Sequence, residues 1–299
     1  MANRFEWKGM TADGSSVTLK RYDGNCPCPT YADAKWIQEN ASSIGIGVVL
    51  DLETTGLNQT TDKIIEIALR KFRFDRRNGE VISVSPPYAA LQDPGVPLNP
   101  RIQSITGLTD SELKGKNINW NLVESEIADA DLIIAHNAGF DRPFVERYCP
   151  PAMRKVWACS FSQIDWQGKG YSSTKLELLS IHHGFFVDAH RALSDIDALL
   201  YLVSMKDNTS GSSYLFEIVK NAFRPSVLVI ARHSAYETKD LLRERGYSWN
   251  VAIKSWQKQV YRDTVELETQ WLETTVYKGK FRGEVRDIPL TETFRLTSL

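Results

Sequence analysis

The chain has 299 residues, about twice the ~150 of an average domain, so two domains are expected. Hydrophobic residues make up 42% and charged residues 24%, which excludes collagen, wholesale disorder and a disulfide miniprotein. Net charge is −1, yet residues 219–299 hold 14 Lys/Arg against 10 Asp/Glu, so a mildly basic tail follows a mildly acidic body.

No apolar run nears the roughly 18 residues of a membrane helix, and Met1–Thr11 lacks a signal-peptide pattern. The expected address is cytoplasmic, with no membrane partner. Cys26, Cys28, Cys149 and Cys159 form no C-x-x-C pair, so reduced thiols are expected rather than a zinc site.

Residues 1–43 read as an N-terminal extension, with a hairpin-like run at Ser16–Lys20 between Gly14 and Asp23-Gly24, and a helix over Thr30–Glu39 capped by Thr30. A buried strand then starts near Gly45 and breaks at Thr54-Thr55-Gly56. Ile64–Phe74 alternates enough to predict a partly exposed strand, which Asn78-Gly79 turns into Val81–Val84. A Pro-rich crossing spans 86–100. Helical patterns bracket a further buried strand at Leu132–Ala135, and residues 141–149 and 191–205 are helical. Antiparallel hairpins followed by alternating helices and strands predict a mixed α/β sheet over 44–207. The loop Asp207–Ser213 predicts a linker at 208–214, and 215–299 reads as a small α+β module.

Asp51 and Glu53 interrupt an apolar strand. At i and i+2 they share one face of the sheet, where two like charges lose hydration and repel. Hard divalent cations such as Mg²⁺ would neutralise them; alternatively the strand ends at Leu50 and both are solvated. Asp141 stands where a strand meets a helix, and a residue before Arg142-Pro143 is also where an N-cap belongs. On the helix 191–205, Asp195 falls in a row with Ala192, Leu199 and Leu202 beside the core, while Asp197 falls toward the outer face with Ser194 and Tyr201. His190 just precedes that helix; an imidazole near a metal–carboxylate site can take a proton from water near neutral pH. Glu66, inside Ile64–Ile67, reads as support for the sheet, and His182 and His183 as a helix end.

Three segments act jointly and in order. Val49-Leu50-Asp51-Leu52-Glu53-Thr54-Thr55-Gly56-Leu57, His136-Asn137-Ala138-Gly139-Phe140-Asp141 and His190-Arg191-Ala192-Leu193-Ser194-Asp195 resemble the three motifs of the DEDDh 3′–5′ exonuclease superfamily, across about residues 44–205. The resemblance implies a ribonuclease H-like mixed sheet flanked by helices. It also implies two divalent cations, Mg²⁺ or Mn²⁺, held by Asp51, Glu53, Asp141 and Asp195, with His190 as general base. Metals about 3.5–4 Å apart would flank the scissile phosphate and release nucleoside 5′-monophosphates. Thr54, Thr55, Gly56 and Leu57, with Ile105 and Thr106, are similar to segments that meet the terminal nucleotide. Gln103 stands near where many relatives carry His or Glu, and Asn137 and Phe140 belong to the second motif.

The tail interleaves aromatics with Arg243, Arg245, Lys254 and Lys258, a pattern suited to stacking unpaired bases and tracking phosphates. Trp249 and Trp256 lie seven apart and would face opposite sides of one uninterrupted strand, which would place at least one in the core. The expectation is an exonuclease acting on single-stranded 3′ ends of DNA. An RNA-trimming enzyme with the same chemistry and a non-catalytic nucleic-acid binder are the alternatives.

Overall fold

The computed structural model describes residues 10–22, 24–26, 28–29, 32–188, 190–207 and 210–295. A turn over Thr11–Ser16 closes on an antiparallel bridge between Met10 and Val17. Strand β1 (Lys20–Arg21) and helix α1 (Ala34–Glu39) follow. Asp33 caps α1 by accepting from the Trp36 N–H; the expected cap Thr30, like Asp23, lies outside the described residues.

Strand β2 (Ile44–Thr54) pairs along its length with antiparallel β3 (Ile64–Asp75). Gly45 and Gly47 make this close pairing possible. A Cβ at either would lie 2.4 Å from the ring of Phe74 or Phe72, both fully buried. Strand β3 is buried nearly throughout rather than partly exposed. It pairs with β2, β4 (Val81–Val84) and β5 (Tyr88–Leu91), and Leu98, Leu108 and Leu113 cover Ile65 on its other face. Strand β5 emerges from the Pro-rich crossing, its alternation hidden between Pro87 and Pro94.

Helices α2 (Pro100–Thr106), α3 (Asp110–Leu113) and α4 (Trp120–Ile127) lead to β6 (Leu132–Ala135), which runs parallel to β2. Helix α5 (Ala138–Glu146) then precedes β7 (Val156–Cys159), parallel to β6. Helix α6 (Leu176–His182) and β8 (Phe185–Phe186), parallel to β1, lead to α7 (Ala192–Ser204) and α8 (Tyr214–Ala222). The central sheet runs β4-β3-β2-β6-β7 with β5 beside β3, a mixed sheet flanked by helices of ribonuclease H-like type. Its core joins Val49, Ala68 and Phe72 to Ile196, Leu199 and Leu200 of α7.

The outer face of α7 is not solvent. Tyr22 stacks on Tyr201 at 4.4 Å, and Asp197 pairs with Arg70 at 2.8 Å, where Arg70 also donates to the Gly24 carbonyl. Tyr22, Gly24 and Cys26 lie over the row that periodicity assigned to water, because helical spacing cannot show a cover from a segment distant in the chain.

The chain divides into two compact units, Met1–Ala222 and Phe223–Leu299. Helix α8 belongs with the first: Tyr214, Leu215, Ile218 and Ala222 join its core. The second unit comprises β9 (Ser226–Ala231), α9 (Lys239–Glu244), β10 (Ser248–Asn250), β11 (Ser255–Tyr261), α10 (Val265–Trp271) and β12 (Glu284–Ile288). Its antiparallel sheet, ordered β10-β11-β9-β12, packs Val227 and Val229 against Leu242, Leu272 and Val276. Trp249 and Trp256 are direct cross-strand partners on one face of a hairpin, 5.7 Å apart. The turn between them reverses the chain, so the single-strand reading fails. Among the described residues no helix is long and apolar enough to cross a membrane.

Candidate active site

Strand β2 outruns β6. Pairing with β6 stops at Val49, so the end of β2 that carries Asp51 and Glu53 projects beyond it, toward the start of α5. Asp51 and Glu53 lie on the face that packs against α7, opposite Ala68 and Glu66 of β3. On α7, Asp195 sits in the first turn, and its Oδ2 accepts from the His190 N–H at 3.0 Å. Carboxylate oxygens of Asp51, Glu53 and Asp195 all lie within 4.8 Å of one another. Acids scattered along the sequence thus meet between a strand end and a helix start.

Asp141 is 2% exposed and lies inside α5, so it is not the cap. Asn137 takes that position, in a left-handed conformation (φ 79°) that turns the strand into the helix. The Leu52 N–H, beyond the last residue of β2 paired with β6, donates to the Asp141 carboxylate. Asp141 stands outside the group of three, but its charge acts directly on Asp51.

The electrostatics are those of crowded acids. Burial, then Asp141, Asp195 and Glu53, raise the Asp51 carboxyl well above its ordinary range. Burial and the neighbouring Asp195 and Glu66 push Glu53 up to about 8, opposed by Arg191. Asp195 is pushed up to about 7, chiefly by burial, with the His190 N–H opposing. Burial also raises Asp141 well above the usual range. Half-buried carboxylates that resist ionisation together are a donor set for a hard cation, which supplies the missing positive charge and prefers oxygen ligands. The residues present fit a divalent metal.

His190 is exposed, in a left-handed turn (φ 64°) immediately before α7. His136 is a different kind of histidine. Its Nε2–H donates to the Thr174 carbonyl at 2.8 Å and its Nδ1 accepts from the Ser160 hydroxyl at 2.7 Å, while burial lowers its pKa to about 4. It is a neutral brace for the second motif.

The loop after β2 is held by its own polar groups. The Thr54 hydroxyl donates to the Gly56 carbonyl, and the Thr55 hydroxyl donates to Asp62. Gly56 lies close against Asp62: a Cβ there would be 2.5 Å from the Asp62 carboxylate, which would have to shift. Leu57 is 84% exposed at the loop tip. Gln59 donates to the Gly139 carbonyl at 2.7 Å, and Arg147 donates to the Gln59 and Asp62 carbonyls, so first and second motifs are tied together. Sequence reading overlooked Gln59, Asp62 and Arg147; the only signal was a turn-rich Asn58–Asp62 stretch following the motif.

The Thr106 hydroxyl donates to the Ile102 carbonyl and accepts from Leu108, and Gly107 (φ 70°) ends α2, so this residue builds the turn. Ile105 beside it is 41% exposed, whereas Gln103 is half-buried. Asn137 is exposed, and Phe140 packs on Phe144 at 5.1 Å. In the second unit, Arg243 pairs with Asp240, while Arg245 and Lys258 both pair with buried Glu268. Lys254 is exposed at the β10–β11 turn.

Residues 48–203 match the family model described as "Exonuclease". The PolC-type DNA polymerase III proteins of Listeria innocua and Listeria welshimeri are 32% and 40% identical to this chain over 161 residues, 52% of the chain. The match spans 11% of the length of each of those proteins. The solved zinc-ion-bound form of an E. coli ExoI–ssDNA complex is similar at a TM-score of 0.49 and 17% identity, over 73% of this chain and 63% of that one. With the family model covering half the chain and all three acidic motifs in place, the chain belongs to the exonuclease family, within the DEDDh 3′–5′ exonuclease superfamily.

Proposed function

We propose that the chain is a metal-dependent 3′–5′ exonuclease that hydrolyses the terminal phosphodiester of single-stranded DNA and releases nucleoside 5′-monophosphates. The observation that carries this reading is the convergence of the Asp51, Glu53 and Asp195 carboxylates within 4.8 Å. Those three, with Asp141 beside Asp51, would hold two divalent cations, Mg²⁺ or Mn²⁺. Bound there, the cations supply charge to polarise the scissile phosphate and to stabilise the departing 3′ oxygen.

The remaining work falls to side chains of this chain. The imidazole of His190 takes the proton of the attacking water; its exposed position lets it meet solvent and substrate together. The exposed Leu57 and Ile105 offer apolar contact to the terminal nucleotide, and Asn137 a polar one. Thr54, Thr55 and Thr106 shape the loops that present them. DNA is favoured over RNA because the curated relatives described above are DNA polymerase proteins.

The test is a 5′-labelled DNA oligonucleotide incubated with Mg²⁺ or Mn²⁺, with an equal RNA competitor. We expect shortening from the 3′ end, release of 5′-mononucleotides, DNA consumed first, and loss of activity with EDTA or Asp51→Asn. Undiminished hydrolysis in Asp51→Asn would overturn the metal assignment, and preferential consumption of RNA would overturn the substrate.

A further inference from the structure

Glu66 is 3% exposed and directly faces Glu53 across the β2–β3 pair, an arrangement that like charges disfavour. Its carboxylate is fully engaged on the helix side. Oε2 accepts from the Ala192 N–H at 3.2 Å and from Arg191 Nε at 3.3 Å, and Oε1 accepts from Arg191 Nη2 at 3.2 Å.

The first turn of α7 needs this partner. Arg191 occupies the cap position, and its own side chain makes no cap hydrogen bond to the helix. A carboxylate from another strand therefore satisfies the first helical N–H and favours the positive end of the helix. One residue earlier, the His190 N–H is held by Asp195, and His190 itself adopts a left-handed conformation (φ 64°) that a non-glycine side chain resists. Two carboxylates thus grip alternate backbone N–H groups, at 190 and 192, on either side of Arg191.

We propose that Glu66 is a positioning residue for the hydrolysis: through Arg191 and the Ala192 N–H it fixes the turn that presents the His190 imidazole beside Asp195. The inference rests on His190 acting as the base. Glu66 touches neither the attacking water nor the phosphate in this scheme. Loss of the clamp lets the left-handed turn relax, so the imidazole spends less time where the proton must be taken.

The experiment combines kinetics with amide exchange at saturating Mg²⁺ and in metal-free protein. Glu66→Ala should lower kcat about 10–100-fold with KM changed less than about threefold, the range typical of supporting residues behind a reactive group. Glu66→Gln, which still accepts from the Ala192 N–H, should fall between the wild type and Glu66→Ala. The double variant Glu66→Ala/His190→Ala should be no slower than His190→Ala alone, because the clamp acts through that imidazole. In metal-free protein, amide exchange at residues 190–192 should quicken in Glu66→Ala and less in Glu66→Gln.

A kcat for Glu66→Ala within twofold of the wild type, while His190→Ala is impaired, would overturn the inference and leave the exonuclease reading intact. A double variant slower by the product of both single effects would overturn it as well. If His190→Ala were unimpaired, the base assignment would fail instead, and unchanged exchange at 190–192 would then dismiss the clamp on its own. Should Glu66→Ala not fold, Glu66→Gln and Arg191→Ala carry the same comparisons.

Discussion

At the scale of single residues, the site is defined by carboxyl groups held where their ionisation is opposed. Asp51 and Asp141 are raised well above the ordinary range, Glu53 is pushed up to about 8 and Asp195 to about 7. The sign of the consequence follows directly. Between about pH 4, where carboxyls of an unfolded chain titrate, and about pH 8, the folded protein keeps protons that the unfolded chain has released. The contribution of these four carboxyls to stability without metal is therefore fully present below about pH 4 and is lost as pH rises through the folded values. Melting of the metal-free protein should fall from pH 5 to pH 8.5, and Mg²⁺ should raise it most at the alkaline end. Glu53→Gln should flatten that slope; an unchanged slope in thermal melts would contradict the assignment of the shift to this cluster.

At the scale of elements, the β2–β3 pair carries the site, and its precision depends on two missing side chains. Phe72 and Phe74 fill the space above Gly47 and Gly45, and neither ring can swing into solvent. Gly47→Ala should destabilise the fold by about 1–3 kcal/mol, the ordinary cost of overpacking, measured as a lower denaturation midpoint at unchanged slope. The strand itself was legible, since an apolar run from Ile46 to Leu52, interrupted by Asp51 and followed by Glu53, reads as a strand bearing a site. What escaped reading depended on partners distant in the chain. Strands β4 and β6 are as short as β5 and β7, but an Asn-Gly turn marks β4 and an unbroken aliphatic run marks β6, whereas β5 and β7 carry neither signal. Asp197 follows the helical period onto the outer row, yet Gly24 and Arg70 enclose it. The acid motifs were readable because each keeps its residue types at short, fixed spacing within one continuous segment. Gln59 and Arg147 were not readable, and Glu66 was read only as support for the sheet, because a hydrogen bond across 80 or more residues leaves no local pattern.

At the scale of the whole molecule, two compact units keep separate accounts of charge. The first gathers a cluster of acids; the second pairs several of its cations internally, with Glu268 serving both Arg245 and Lys258. Glu268→Ala would leave those two cations beside Tyr247 and Trp271 without their acid. It should cost on the order of 2 kcal/mol in the second unit, less than a fully buried pair because Arg245 is partly exposed. Hydrolysis of short oligonucleotides, a property assigned to the first unit, should be unaffected.

The central claim is that Asp51, Glu53 and Asp195 act together as one cation-binding centre. Calorimetric titration of the 299-residue chain with Mn²⁺, in the wild type and in Asp195→Asn, tests it most directly. The wild type should bind Mn²⁺ and the variant should bind it at least tenfold more weakly, with the circular dichroism of the two proteins superimposable. Equal Mn²⁺ affinity in both would contradict it.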